Sequence, residues 1–251
     1  MAVIEKIRYE RIMTFALQII TLFVAVIGLL DLLGWALEIP ILNSWKESTQ
    51  PMSPMTGLLS VLFGINLILC VRLYRSRIIQ QLTILLSSVG LMLALLVLVL
   101  RLLGVYRSFE HLSFTITGTF GNVPLGHMTA VSGFCFSLAF VVLLATVLPK
   151  TDGGQRWPRS IIWVFSGLIT LIGLSLLLFY PFALPLSISD ETLIPPSLNS
   201  SIVLLMIGVV LLLLAARSKD WLLVELNMNN VRVYPYFIVF FCFRNLDGHY
   251  L

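Results

Sequence analysis

Few residues in this chain could do chemistry, and most of them sit at the ends of apolar runs. Asp31 and Arg101 lie near the ends of two such runs. Ionisable groups within a membrane segment tend to face protein or water and to pair. An interhelical Asp31–Arg101 salt bridge is therefore a candidate, behind the plainer reading that each side chain snorkels separately to the interface. Thr56, Ser132 and Ser200 place hydroxyls at the starts of three further apolar runs, beside Gly57, Gly133 and Ser201. Gly64 and Gly208 follow eight residues beyond Thr56 and Ser200. Small residues let helix backbones approach closely, so packing is the first expectation for this set. Hydroxyls lining a ligand site is the second, since free N–H groups at helix starts can receive an anion. Glu110, His111 and His127 fall in or beside the longest loop; a pH or metal sensor is the chemistry they could supply, and solvated loop histidines the plainer reading. Asn66 and Gln18, within apolar runs, are expected to make hydrogen bonds between helices.

No catalytic constellation accompanies them. The sequence has no phosphate-binding Gly-rich loop ending in Lys-Ser/Thr, no H-E-x-x-H, no G-x-S-x-G and no dinucleotide fingerprint. Its three cysteines, Cys70, Cys135 and Cys242, form no C-x-x-C. Neither a disulfide framework nor a metal site is expected, and the chain is expected to be no enzyme and to need no cofactor.

The elements that carry these residues are set by composition. Of 251 residues 59% are hydrophobic and 11% charged, against about 45–50% apolar and about 25% charged in soluble domains. Several apolar runs reach the roughly 18 residues that read as a spanning helix. Six spans are expected, near Ile12–Ala36, Met55–Leu73, Ile78–Leu103, Met128–Leu148, Arg159–Tyr180 and Leu198–Ala216. Trp35, Trp157 and Tyr180 fall at span boundaries, where amphipathic rings favour the headgroup layer. Residues 1–11 mix charges and read as a cytoplasmic surface segment. Residues 217–251 read as a cytoplasmic or partly embedded tail, in which Tyr234–Phe243 is a candidate seventh segment of about half the spanning length. Ser113–Thr117 alternates polar and apolar residues, a weak strand signal.

Lysine and arginine set the orientation. Eleven fall at the N-terminus, in the Arg72–Arg77 and Lys150–Arg159 connections and after span six, and three (Lys46, Arg101, Arg107) on the opposite side. A cytoplasmic N-terminus and three outward loops follow. The formal charge of +4 is spread beside the apolar runs, so nucleic acid is not an expected partner.

The spans also repeat. Asp31-Leu-Leu-Gly-Trp35 followed by Met52-x-x-x-Thr56-Gly57 is echoed by Arg101-Leu-Leu-Gly-Val105 with Met128-x-x-x-Ser132-Gly133, and by Ser175-Leu-Leu-Leu-Phe179 with Pro196-x-x-x-Ser200-Ser201. The fold expected is an all-α polytopic membrane bundle, 12–216, of three parallel helical hairpin repeats, about 12–73, 78–148 and 159–216.

Gly34-Trp35, then Met52-Ser-Pro-Met-Thr-Gly-Leu-Leu-Ser-Val-Leu-Phe-Gly64, loosely repeated from Met128, resembles the N-terminal multi-pass membrane region of bacterial sensor histidine kinases and related PAS or GGDEF proteins. Leu223-Val-Glu-Leu226 leading to Arg232-Val-Tyr-Pro235 is similar to their juxtamembrane step. Glycine stands at Gly57 and Gly133 where that pattern has alanine, and the third copy lacks its methionine and threonine. The sequence given ends at Leu251 without the hundred or so residues of an output domain, so no phosphotransfer residue carries over. The resemblance implies a non-catalytic sensory or scaffold module of the bacterial plasma membrane that relays a signal to a cytoplasmic partner such as a kinase. An accessory subunit of a larger membrane complex is the second expectation and a transporter the third, since inverted halves and midplane polar groups are lacking. An unassigned membrane enzyme is the last.

Overall fold

Long apolar stretches cannot leave backbone N–H and C=O groups unpaired in lipid, and the helix pairs them all internally. The computed structural model describes residues 2–43, 51–72, 76–105, 108–112, 114, 119–120, 123–124, 126–147, 159–179 and 196–216. Among the described residues seven α-helices follow in order: α1 Ala2–Ala36, α2 Pro40–Asn43, α3 Pro54–Arg72, α4 Arg77–Leu102, α5 Ala130–Val147, α6 Arg159–Phe179 and α7 Leu198–Ala216. A 3-10 turn, Ser108–His111, and a two-residue antiparallel ladder, β1 Thr119–Phe120 with β2 Val123–Pro124, lie between α4 and α5. All but α2 are long and apolar enough to cross a membrane, and the chain is a multi-pass membrane protein.

Three expectations change in detail. Residues 2–11 are no separate element but the first turns of α1. The stretch between the first two expected spans is not all loop, since Pro40 opens the one-turn helix α2, where a missing N–H does no harm. The strand expected over Ser113–Thr117 falls largely outside the described residues, and the ladder begins beyond it. Trp157, Tyr180, Cys242 and the candidate segment within 217–251 also lie outside them.

Packing runs in pairs: α1 lies chiefly on α3, α4 on α5 and α6 on α7. Between pairs α3 meets α4, α5 meets α6, and α7 returns to α1, so the contacts close a ring. Helices α3, α5 and α7 are mostly buried, and Phe63, Phe136 and Phe140 fill the space between α3 and α5. Helices α1, α4 and α6 turn large apolar side chains outward, among them Phe15, Leu85 and Leu171, as lipid-facing surfaces do.

Glycine sets the close approaches. A Cβ at Gly64 would stand 2.7 Å from Ala25 Cβ, and one at Gly208 would meet the backbone of Thr170. Phe140 takes the corresponding place in α5, eight residues after Ser132, and there the partner helix is cut away instead: the Phe140 ring lies directly on Gly90 of α4. Asn66 pairs across helices as expected, its side-chain amide bonding Ser87 of α4.

Candidate functional site

Where α1, α4 and α6 finish and α3, α5 and α7 begin, polar side chains form a buried layer. Each inner helix is started by the same device. Ser53 Oγ accepts from Thr56 N–H at 3.2 Å, Thr129 Oγ1 from Ser132 N–H at 3.3 Å, and Ser197 Oγ from Ser200 N–H at 3.2 Å. Hydroxyl–hydroxyl contacts of 2.8, 3.0 and 2.7 Å close the same three pairs. These N-caps satisfy donors that have no partner inside the helix. Thr56, Ser132 and Ser200, the candidate ligand hydroxyls, are thus bonded into the first turns. Sequence reasoning singled them out and passed over the caps three residues earlier, although Ser/Thr-x-x-Ser/Thr before an apolar run carried that signal.

The proposed Asp31–Arg101 pair does not form. Arg101 is bound within its own hairpin: both carboxylate oxygens of Glu110 accept from Nη2, Met128 O accepts from Nε at 2.8 Å, and Val105 O accepts from Nη1 at 3.1 Å. Glu110 Oε2 accepts in turn from Met128 N–H at 3.1 Å. The Glu110 side chain is fully buried and that of Arg101 is 7% exposed. His127 Nδ1 lies 3.0 Å from Arg101 Nη2 and 3.6 Å from Glu110 Oε2. A guanidinium only donates and a carboxylate only accepts, so Nδ1 serves one or the other according to the tautomer, its lone pair facing Arg101 or its proton facing Glu110. Its ring lies 4.6 Å from that of His111. The candidate loop sensor residues are therefore brought together, around an arginine rather than a metal. Among the described residues no group of three His, Cys, Asp or Glu side chains is placed to hold a metal ion.

The reach of Arg101 depends on how α4 ends. Gly104 has φ +66°, a conformation that side chains resist, and there Gly104 N–H turns back to Arg101 O and Val105 N–H to Leu100 O. That turn presents Val105 O to the guanidinium and sends the chain toward Glu110. Helix α1 ends in the same fold-back, Ile39 N–H on Gly34 O, with Glu38 at φ 55°. Trp35 Nε1 then donates to Met52 O at 2.9 Å, as Arg101 Nε does to Met128 O. By position and by partner, the counterpart of Arg101 is Trp35. The sequence alignment that set Asp31 against Arg101 was out by one helical turn.

The corrected register isolates Asp31. Its counterpart in α4 is Val97, fully buried. Asp31 is itself fully buried, its Oδ2 lies where a Cβ on Gly57 would come within 2.6 Å, and neither oxygen has a hydrogen-bond partner among the described residues.

Burial pushes the Glu110 carboxyl up, but the imidazole of His127, the charge and hydrogen bonds of Arg101 and the Met128 N–H outweigh it and hold it below its ordinary value of 4.5. Because the folded protein binds this proton more weakly than the unfolded chain, the stabilisation is complete above about pH 4.5 and is lost as pH falls through the lower folded value. Thermal unfolding between pH 6 and 3 is expected to show this loss in the wild type and a shallower one in Glu110→Gln. Equal slopes would remove Glu110 as its source.

Comparison with known protein families, with curated proteins and with solved structures found no match to this chain.

Proposed function

We propose that this chain is a membrane-embedded sensory module, non-catalytic by itself, in which the buried polar layer is the input and helix packing the output. Three parallel repeats of one hairpin would build it, with the N-terminus cytoplasmic, the long loops outside and the bacterial plasma membrane as its location. The recurring helix caps, the ring of contacts and the lysine and arginine distribution support that arrangement. The observation that carries the function is the contrast at matched depth: Arg101 saturated by Glu110, His127 and backbone carbonyls, against Asp31 with no partner among the described residues. A buried polar group without one is costly, and whatever satisfies it changes the fit of α1 on α3. A ligand shifts a packing equilibrium by its differential affinity for the two states, and a cytoplasmic partner such as a kinase would read the shift.

The full chain, purified in mild detergent from its native membrane and identified with its companions by mass spectrometry, tests this. Recovery with a kinase or another signalling partner supports the proposal. Stoichiometric recovery with a multi-subunit assembly overturns it in favour of an accessory structural subunit, for which the outward apolar faces of α1, α4 and α6 would be docking surfaces. Substrate-dependent uptake into vesicles would overturn it in favour of transport.

A further inference from the structure

Among the described residues three buried oxygens of Asp31 and Asn43 have no hydrogen-bond partner. Asp31 Oδ1 and Oδ2 are unpartnered among the described residues, and so is Asn43 Oδ1 of α2, on a residue 4% exposed. The Asn43 oxygen rests against Gly34, where any Cβ would collide with it. Gly34 follows Asp31 by three residues, about 4.5 Å along the axis on the same side of α1. Asn43 Oδ1 and Asp31 therefore stand about one helical turn apart on the same side of the end of α1, with Asp31 Oδ2 against Gly57 of α3.

Nearby donors are already committed. Trp35 Nε1, which also lies beside the Asp31 carboxyl, donates to Met52 O, Thr56 N–H serves Ser53 Oγ, and both Met52 N–H and Asn199 Nδ2 serve the backbone oxygen of Asn43. The start of α5 needs no such partner, because Val97 stands where Asp31 does. Among the described residues no cationic side chain is shown against Asp31 or Asn43.

Building on the sensory reading, we propose that Asp31 and Asn43 hold a small monovalent cation of the alkali class, sodium being the probe, between α1, α2 and α3. Hard oxygen donors suit such an ion. One carboxylate and one neutral amide oxygen leave no net charge when the ion is single, whereas a divalent ion would leave an uncompensated charge at a buried site in a membrane segment. Binding would fasten the end of α1 to α2 and to the first turn of α3, as Arg101 fastens α4 to the start of α5 through Met128.

The test is thermal unfolding of the purified full-length protein in detergent at fixed ionic strength, with sodium replaced by N-methylglucamine. Sodium at about a hundred times its dissociation constant is expected to raise Tm by about 5 °C. Asp31→Asn should abolish the rise while folding at least as well as the wild type without sodium, since it removes a buried charge and keeps the shape. Asn43→Ala should move the sodium midpoint upward about tenfold, one amide–ion contact being worth about that factor. A response that persists in Asp31→Asn, or a wild type that responds to pH and not to sodium, overturns the proposal; the second result leaves Asp31 holding a proton only. Should Asp31→Asn not fold, an unchanged midpoint in Asn43→Ala overturns it alone. Failure here is separable from failure of the sensory reading. A sodium response in a protein that purifies with a structural complex leaves a structural ion site, and a signalling partner without a sodium response leaves a sensor of something else.

Discussion

Glu110→Gln is expected to destabilise the protein by about 3–5 kcal/mol, the range for removing one partner of a buried ion pair, and to lower Tm by about 10 °C. The reason lies in what is left behind. Arg101 is charged at every accessible pH, and its side chain is 7% exposed, so loss of the Glu110 carboxylate leaves the guanidinium with neutral partners such as Met128 O and Val105 O. Glutamine offers one acceptor where two accepted before. It also turns an amide group toward the guanidinium or toward Met128 N–H, so one of those contacts becomes donor against donor. Arg101→Met alone should cost a similar amount, because it strands the Glu110 carboxylate, fully buried, with Met128 N–H and His127. The informative variant is the double change, Arg101→Met with Glu110→Met. With both charges gone nothing is stranded, and the double variant should be more stable than either single one. Denaturant or thermal unfolding of the four proteins in one detergent measures this. Additive losses would mean that Arg101 and Glu110 act separately, and that the bonds to Met128 carry the connection by themselves.

The residues of this clasp show how far the sequence could be read. That Arg101 could be paired within the protein was legible only as one of two readings, because a charge at the end of an apolar run can also snorkel to the interface. Its partner was not. Glu110 lies nine residues away across an irregular turn, and it reaches Arg101 only because Gly104 takes a left-handed conformation that reverses the end of α4. Composition placed the six spans within a few residues, since a spanning helix is fixed by length and apolarity alone. It could not fix the register between hairpins. Leu-Leu-Gly after Asp31 and after Arg101 looks like a shared motif, but such triplets are cheap in apolar helices, and the match was one turn out. The N–H donors of Trp35 and Arg101, both spent on a methionine carbonyl, set the register, and an indole and a guanidinium share nothing that a sequence comparison would score. The isolation of Asp31 emerged only from that correction. Had Asp31 been the counterpart of Arg101, its lack of a partner would have suggested a pair not quite closed rather than a site awaiting a ligand.

Between α6 and α7 the sign of a single methyl group should depend on its depth. Gly167 has nothing within 4 Å of where a Cβ would stand, so Gly167→Ala should stabilise by about 1 kcal/mol through helix propensity alone. Gly173 lies six residues further along the same helix. A Cβ there would meet Leu205 N at 2.5 Å and Leu205 Cα at 2.7 Å. These are backbone atoms of α7 and cannot rotate aside, so the helices must separate. Gly208 answers from α7, where a Cβ would stand 2.6 Å from Thr170 N and 2.7 Å from Thr170 Cα. Helix α6 has little else to hold it: its packing is chiefly on α7, with α5 as the lesser neighbour, and much of its surface turns outward. Overpacking typically costs about 1–3 kcal/mol, and in lipid no hydrophobic drive pulls two separated helices back together. Gly208→Leu, which adds a branched side chain at this crossing, should therefore cost about 3 kcal/mol and loosen α6 before the rest of the bundle. A cysteine pair across the α6–α7 crossing, assayed by its rate of oxidative cross-linking, would report that order against a matching pair across α1–α3. If Gly208→Leu slowed both pairs equally, the bundle would open as one unit. If it slowed neither, the close approach of α6 and α7 would not be what holds the third pair together.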